Sequence, residues 1–416
     1  MSGRRPDWAP AALDALAGRL PADDAARRRE LLDAFLAQGL PHAKREAWKY
    51  TDLGALADTD YRPAAMPEQS PDFERPALPD AHRVVFGNGL YAAHVSQHTE
   101  LDGLQIGPAN GSDATPSHPV ALLNAALATG GCSIALEAGR QLNQPLHVYA
   151  WQEADAEAMS HLRHRMELGR EARASLVLEQ RPAGGLATQV LDLRLDEGAE
   201  LNLYRVQAGS ADCRLLTVIR ASIAAGARLN LFGVDVGGQL VRTDVEISLD
   251  GEDARLELSG ACALGGESRV DNQVTVTHAG PGATSRQVFR GVVADKAMAV
   301  LNSRVVVDPQ AQRSDSEQSL RHLLLNPGAE VNAKPELEIY ADDVKCAHGA
   351  TVGALDEVAI HYLRTRGLDE PTARALMTRA FLREALAGIR HDGVRELADT
   401  ALDARLPAVP GLDELA

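Results

Sequence analysis

The sequence predicts a mainly-β protein: a parallel β-helix flanked by N-terminal and C-terminal α-helical regions. Three observations predict it. A phrase in which Ala opens an alternating apolar run recurs as Ala174-Ser-Leu-Val-Leu, Ala199-Glu-Leu-Asn-Leu, Ala227-Arg-Leu-Asn-Leu and Ala254-Arg-Leu-Glu-Leu, often after Gly or Asp, with degenerate copies at Ala283 and Ala329. Successive alanines are 25, 28, 27, 29 and 46 residues apart, the last gap fitting two coils. A period of that length, built of strands and turns without crossover helices, marks a solenoid whose coils each add a strand to two or three stacked sheets. Strand alternation fills the same region, as in Leu191/Leu193/Leu195, Val245/Ile247/Leu249, Leu256/Leu258 and Leu337/Ile339. Aromatic residues make up only 4% of the chain, as a narrow interior filled by Leu and Val requires. A large β-sandwich would also alternate, but its sequence would not repeat one phrase at this interval.

Residues 1–75 read as an N-terminal helical region and linker. Ala11–Leu20 and Asp23–Leu36 carry apolar residues at helical spacing, and Asp23 is placed to cap the second helix. Pro63, Pro67, Pro71, Pro76 and Pro79 punctuate the linker. Residues 76–353 form the β-helix core, interrupted by a short helical run at Pro119–Ala128. Residues 354–416 are helical again. Asp356 or Thr351 caps a helix running to Arg366, with Gly367 as its stop, and Pro371 suits the first turn of a second helix ending near Gly388. A polar third helix follows from Gly393. Such helices either cap a solenoid end or serve as a docking platform.

The composition is that of a globular protein, 45% hydrophobic and 24% charged. The net charge of −16, from 42 basic and 58 acidic side chains, argues against nucleic acid and anionic membranes as partners. The N-terminus lacks the apolar run of a signal peptide, and no segment is long enough to span a bilayer. Four scattered cysteines without a CxxC suit a reducing cytoplasm and exclude a self-sufficient zinc or iron–sulfur protein. P-loop, GxGxxG and HExxH motifs are absent. His161 and His164 form an HxxH pair without an acidic neighbour, and surface histidines are the expected reading. Cys132, Cys213 and Cys262 sit among small or apolar residues and are expected to be buried structural thiols. Asp308, Asp315 and Glu317 could form the acidic cluster of a β-helix carbohydrate-active enzyme, an alternative reading of the fold.

The stretch Lys345-Cys-Ala-His-Gly-Ala-Thr-Val-Gly353 carries the most specific chemistry. In a strand, residues i and i+2 share a face, so Cys346 and His348 point the same way. A soft thiolate beside an imidazole suits iron, zinc or a sulfide-bearing cluster. Two ligands cannot complete a tetrahedral site, so the remainder must come from water, sulfide or another chain. A buried Cys and a hydrogen-bonded His in the last coil are the alternative.

The longer run from Pro335 to Gly353, PELEIYADDVKCAHGATVG, closely resembles the C-terminal signature of the SufB/SufD family of iron–sulfur cluster assembly proteins. Arg45-Glu-Ala-Trp48-Lys-Tyr50-Thr51-Asp-Leu53 is similar to the family's N-terminal WKYT element. Ala121–Ala126, Gln318–Asn326 and Leu355–Gly367 add shorter matches, so the likeness spans about residues 45–390. The compact Lys-Cys-x-His-Gly form is similar to the SufD branch. The resemblance implies a right-handed parallel β-helix. It also implies a non-catalytic scaffold subunit paired with a SufB-type subunit through the β-helix ends, with a SufC-type ATPase on the C-terminal helices supplying ATP hydrolysis. His348, with Cys346 near it, would be half of a site for iron or a nascent cluster shared with the partner. No cofactor would be held permanently by the isolated chain. Trp48 and Tyr50 would be packing anchors. Tyr362, Arg364 and Arg366 would offer the ATPase contact. A purely structural partner whose Cys and His only pack is the competing reading, and an unpaired β-helix end invites homodimers.

Overall fold

The computed structural model describes residues 3–20, 24–67, 78–97, 101–109 and 115–406. Strands alternate between two sheets, so that each coil places one strand in each. The first sheet runs from Leu104–Pro108 and Cys132–Leu136 to Met298–Val307 and Glu330–Ile339. The second runs from His82–Gly87 to Ser314–Leu324 and Val344–Gly353. Successive coils pair in parallel, giving a β-solenoid of about eight turns. At its N-terminal end each sheet closes with an antiparallel pair, which blunts the open edge.

The recurring alanine phrase has a physical cause. The residue before each corner adopts a left-handed backbone: Glu171 (φ 57°), Gly198 (68°), Gly226 (64°), Asp253 (57°), Gly282 (69°) and Arg313 (63°). Gly meets this demand without a Cβ penalty, and Asp tolerates it. The next residue turns into the solenoid where only a small side chain fits: Ala172, Ala199, Ala227, Ala254 and Ala283 are all 0% exposed, and Ser314 is 1% exposed. The first copy is therefore Ala172, because Ala174 stands in register with Leu201. Ala329 precedes a strand of the first sheet, beside Met298–Val307 and its preceding Ala297. The wide gap before it thus crosses from one sheet to the other and does not contain two full coils.

Inside, leucines stack in columns, as in Leu176–Leu203–Leu231–Leu258. The interior is not wholly apolar. Arg205 donates two 2.7 Å hydrogen bonds to the Asp235 carboxylate, and Asn272 donates to the same group at 3.1 Å. His161 and His164 are also buried, contrary to the surface expectation. Spacing of three on a strand sends them to opposite faces, so they cannot share a ligand. His161 bonds Thr188 at 2.7 Å, and His164 accepts from the Cys132 amide at 3.2 Å. Burial pushes both imidazoles down to about 3, so both are neutral.

Helices α1 (Trp8–Leu16), α2 (Ala25–Gln38) and α3 (Pro119–Leu127) cover the outer face of the first sheet over Met159, Leu186, Val190, Leu216 and Val218. The first helix starts and ends earlier than its periodicity suggests. Asp23, Pro71 and Pro76 lie outside the described residues. A buried knot fixes this layer. Trp48 stacks on the Arg242 guanidinium, 3.7 Å from ring centroid to carbon. Arg242, 1% exposed, donates to Asp244 at 2.7 and 2.9 Å and to Asp271 at 2.7 Å, while Thr51 donates to Asp271. Burial alone would raise the Asp244 carboxyl, but Arg242 and His118 outweigh it and pull it down to about 2. Trp48 is buried and Tyr50 half-buried, so Trp48 is the anchor of the pair.

Helices α4 (Glu357–Thr365), α5 (Glu370–Leu386) and α6 (Asp392–Asp403) follow the last strand. Asp356 caps α4 by accepting from the Val358 amide at 2.8 Å. Helices α5 and α6 lie along the outer face of the second sheet, setting Leu382, Leu386, Val394 and Leu397 on Phe232, Val234, Ala261 and Val292. Arg290, 4% exposed, reaches from that sheet to Glu384 of α5 at 2.9 and 3.1 Å. The C-terminal helices thus brace a face and leave the solenoid's end open.

Removing the charge at the knot while keeping its bulk should be costly. Arg242→Leu leaves Asp244 and Asp271 buried without their cation, and we expect a loss of about 3–5 kcal/mol, read as a lower midpoint in urea unfolding.

Candidate site at the open end of the solenoid

The last coil consists of Glu330–Ile339 and Val344–Gly353. Each strand pairs on one side only, with Met298–Val307 and Ser314–Leu324 respectively. Their other edges carry backbone donors and acceptors with no protein partner among the described residues. Most of the second strand is solvent-exposed, and Ile339, Tyr340 and Val352 are 42%, 61% and 46% exposed around it. An unpaired edge ringed with apolar groups is a surface built to be covered.

Cys346 and His348 sit on this strand and do share a face, as their spacing predicts. Register shows which face. Cys346 pairs with Ser316 and His348 with Gln318, both buried. These two positions end interior columns that change character along the solenoid. One reads Leu201–Leu229–Leu256–Ser285–Ser316–Cys346, the other Leu203–Leu231–Leu258–Gln287–Gln318–His348. Leucine fills the first three positions quoted, and polar groups take over in the last three.

The floor beneath the pair is a hydrogen-bonded layer. Ser285 and Ser316 hydroxyls are 3.0 Å apart, and His278 bonds Ser285 at 2.8 Å and Ser314 at 3.2 Å. Gln318 donates to the Ser303 hydroxyl at 2.8 Å and to its carbonyl at 3.0 Å, while its own Oε1 is buried without a partner. Cys346 is half-buried and packs on the core, whereas His348 is exposed. Burial, and then the nearby Asp315 carboxylate, raise the Cys346 thiol above its ordinary range. A metal or a cationic partner group would therefore have to displace its proton. No group of three or more His, Cys, Asp or Glu able to hold a metal occurs among the described residues, so this pair has no third candidate ligand beside it. Cys132, Cys213 and Cys262 are buried, as expected, with thiols pushed up to about 12 by burial.

Helix α4 lies close by, its buried Ile360 packing with Leu355 and Ala373 beside Leu323 and Leu325 of the penultimate coil. Its outer side presents Val358 (77% exposed) and Tyr362 (57% exposed), one turn apart. Arg366 donates to the Tyr362 hydroxyl at 3.0 Å. Arg364 pairs instead with Glu370 at 3.4 Å, tying α4 to α5. The structure thus separates these three residues from Cys346 and His348, placing them on a neighbouring surface.

Residues 150–381 match the SufBD core domain of the SUF system for FeS cluster assembly. The chain belongs to the SufBD family. It is 29% identical to the iron-sulfur cluster assembly protein SufD of Escherichia coli over 389 residues, covering 90% of this chain and 92% of that one. It is 27% identical to a SufBD family protein of Synechocystis over 394 residues, 86% of each chain. It is 35% identical to the chloroplastic protein ABCI7 of Arabidopsis thaliana over 210 residues, half of this chain and 44% of that one. The family places the chain in iron–sulfur cluster assembly by the SUF system. None of the helices described is long and apolar enough to cross a membrane.

Sequence reasoning missed the polar floor, because Ser285, Gln287, Ser316 and Gln318 gain meaning only once register stacks them under Cys346 and His348. Thiol chemistry tests the geometry. Cys346 should be the one cysteine alkylated by iodoacetamide in the native chain, as read by mass spectrometry. Its rate near pH 8 should fall below that of a free thiol, because a raised value means less thiolate. Asp315→Asn should speed the reaction.

Proposed function

We propose that the chain is a SufD-type scaffold subunit, not itself an enzyme, whose last coil docks on the corresponding end of a SufB-type subunit. The supporting observation is the combination at that end: two unpaired strand edges, an apolar rim, and a thiol and imidazole set on one inward face with only half a ligand set. His348, with Cys346 beside it, would contribute ligands for iron or a nascent cluster, and the partner would contribute the others. A shared site of this kind is closed to solvent only in the complex, which suits transient building and release of its cargo. Edge-to-edge pairing of two copies would give a homodimer in the absence of the partner. The absence of a P-loop and the net charge fit a cytoplasmic scaffold that relies on a separate ATPase.

Residues 354–416 would be the docking unit for a SufC-type ATPase, with Tyr362, Arg364 and Arg366 on the contact side of α4. Force applied there has a route to the site. Helix α4 packs on the penultimate coil, and the Arg290–Glu384 pair ties α5 to the sheet that ends in Cys346 and His348. Dimerisation of the ATPase subunits on ATP binding would draw the helical units together and strain the joined ends, admitting iron and sulfide.

The half-burial of Cys346 favours a second reading for that residue alone, in which it only packs. Reconstitution with the SufB- and SufC-type partners separates the two, since Cys346→Ala should lower cluster formation if the thiol is a ligand and leave it at the wild-type rate if it only packs. His348→Ala should assemble into the complex normally yet lose most cluster formation, followed by visible absorbance of the bound cluster. Cys346→Ala/His348→Ala that still builds clusters at the wild-type rate would remove both residues from the ligand set.

A further inference from the structure

A groove of about 470 Å³ lies where the turn between α5 and α6 approaches the outer face of the second sheet. Arg228, Arg255, Asn230, Ser259, Gly388 and Arg390 line it. Arg228 and Arg255 are direct neighbours in register on adjacent parallel strands. Both point outward, since the flanking Leu229 and Leu256 point into the core. Neither guanidinium has a hydrogen-bond or ion-pair partner among the described residues, although the chain as a whole carries a net charge of −16. Like charges set directly opposite one another on a sheet repel. Arg390 adds a third cation across the groove, paired with Glu200 at 3.3 Å.

A second observation concerns the groove's polar floor. Asn230 donates to the Asn202 carbonyl oxygen at 2.9 Å, and Asn202 in turn donates to Ser175 at 3.5 Å. This ladder fixes the amide orientation and leaves Asn230 Oδ1 buried without a donor. The next residue in that column is Glu257, which also lines the groove and whose carboxylate can only accept, so the three arginines outnumber one acidic group there. The groove therefore offers free cationic forks to an anion and a free acceptor to a hydroxyl, within a volume typical of small-molecule sites. Guanidinium forks match phosphate oxygens in geometry and charge.

We propose that this groove binds a phosphate monoester that carries free hydroxyl groups, Arg228 and Arg255 holding the phosphate and Asn230 Oδ1 accepting from a hydroxyl. Sugar phosphates and nucleotides share this chemistry. The ligand would touch both the solenoid and the α5–α6 turn, and so fasten the C-terminal helices to the sheet.

Calorimetric titration of the full chain in phosphate-free, low-salt buffer tests the proposal, with ribose 5-phosphate, adenosine monophosphate and inorganic phosphate as separate probes. Ribose 5-phosphate should bind more tightly than inorganic phosphate, and Asn230→Leu should abolish that preference. Each of Arg228→Ala and Arg255→Ala should weaken binding roughly tenfold, by loss of a charge-assisted hydrogen bond. Tighter binding of the adenosine ester would assign a nucleotide, and equal binding a sugar phosphate. The double variant should melt no lower than the wild type at low salt, because the repulsion between neighbouring cations is gone. A lower melting point in the double variant would overturn the like-charge argument. Failure of all three probes to bind at millimolar concentration, or unchanged affinity in the double variant, would overturn the site.

Discussion

In a parallel solenoid every coil gives backbone donors and acceptors to the coil that follows, so the outer edges of the final coil stay unpaired unless another segment or another chain covers them. Here that final coil is Glu330–Ile339 and Val344–Gly353. At the other end the protein solves the same problem internally, by folding an antiparallel strand against each sheet. The asymmetry is informative. The C-terminal helices could have covered the open end, and instead they lie along a face. Among the described residues nothing pairs with the edge that carries Cys346 and His348, and the interior beneath it changes from leucine to serine and glutamine as it approaches that edge.

Two buried arginines hold the flanking layers in place. Arg242 joins Trp48, Asp244 and Asp271 across the first sheet, and Arg290 joins the second sheet to Glu384. Buried ion pairs add little net stability over apolar packing, but they tolerate little misregistration, because a charge left alone in the interior is costly. They therefore act as fixed points. One seats the N-terminal helices, and the other links the C-terminal helices to strands one and two coils below the site. The sheet so tied to the helical unit is the one that ends in Cys346 and His348.

Much of this was legible in the sequence because a solenoid repeats its local demands. Each corner needs a left-handed residue followed by one small enough to turn inward, and the Gly-Ala and Asp-Ala phrases record that demand. The reading slipped where the phrase was satisfied otherwise. Glu171 and Arg313 adopt the left-handed corner without being Gly or Asp, so the phrase at Ala174 starts two residues after the true corner at Ala172, and the wide gap before Ala329 hides a change of sheet. The pairing of Cys346 with His348 on one face followed from strand periodicity alone. The polar floor, the Arg242 knot and the burial of His161 and His164 did not, since each depends on which residues distant strands bring into register. The WKYT element was visible as a motif, yet its role awaited the arginine nearly two hundred residues away on which Trp48 stacks.

The central claim is that the last coil is an unfinished edge completed by a partner. Backbone amide hydrogen exchange, resolved by mass spectrometry, tests it most directly, at a concentration where light scattering shows a monomer. Peptides covering 330–339 and 344–353 should exchange quickly in the isolated chain while those of the preceding coils stay protected, and should become protected when the SufB-type subunit is added. Slow exchange of those peptides in the monomer, or exchange unchanged by the partner, would contradict the account.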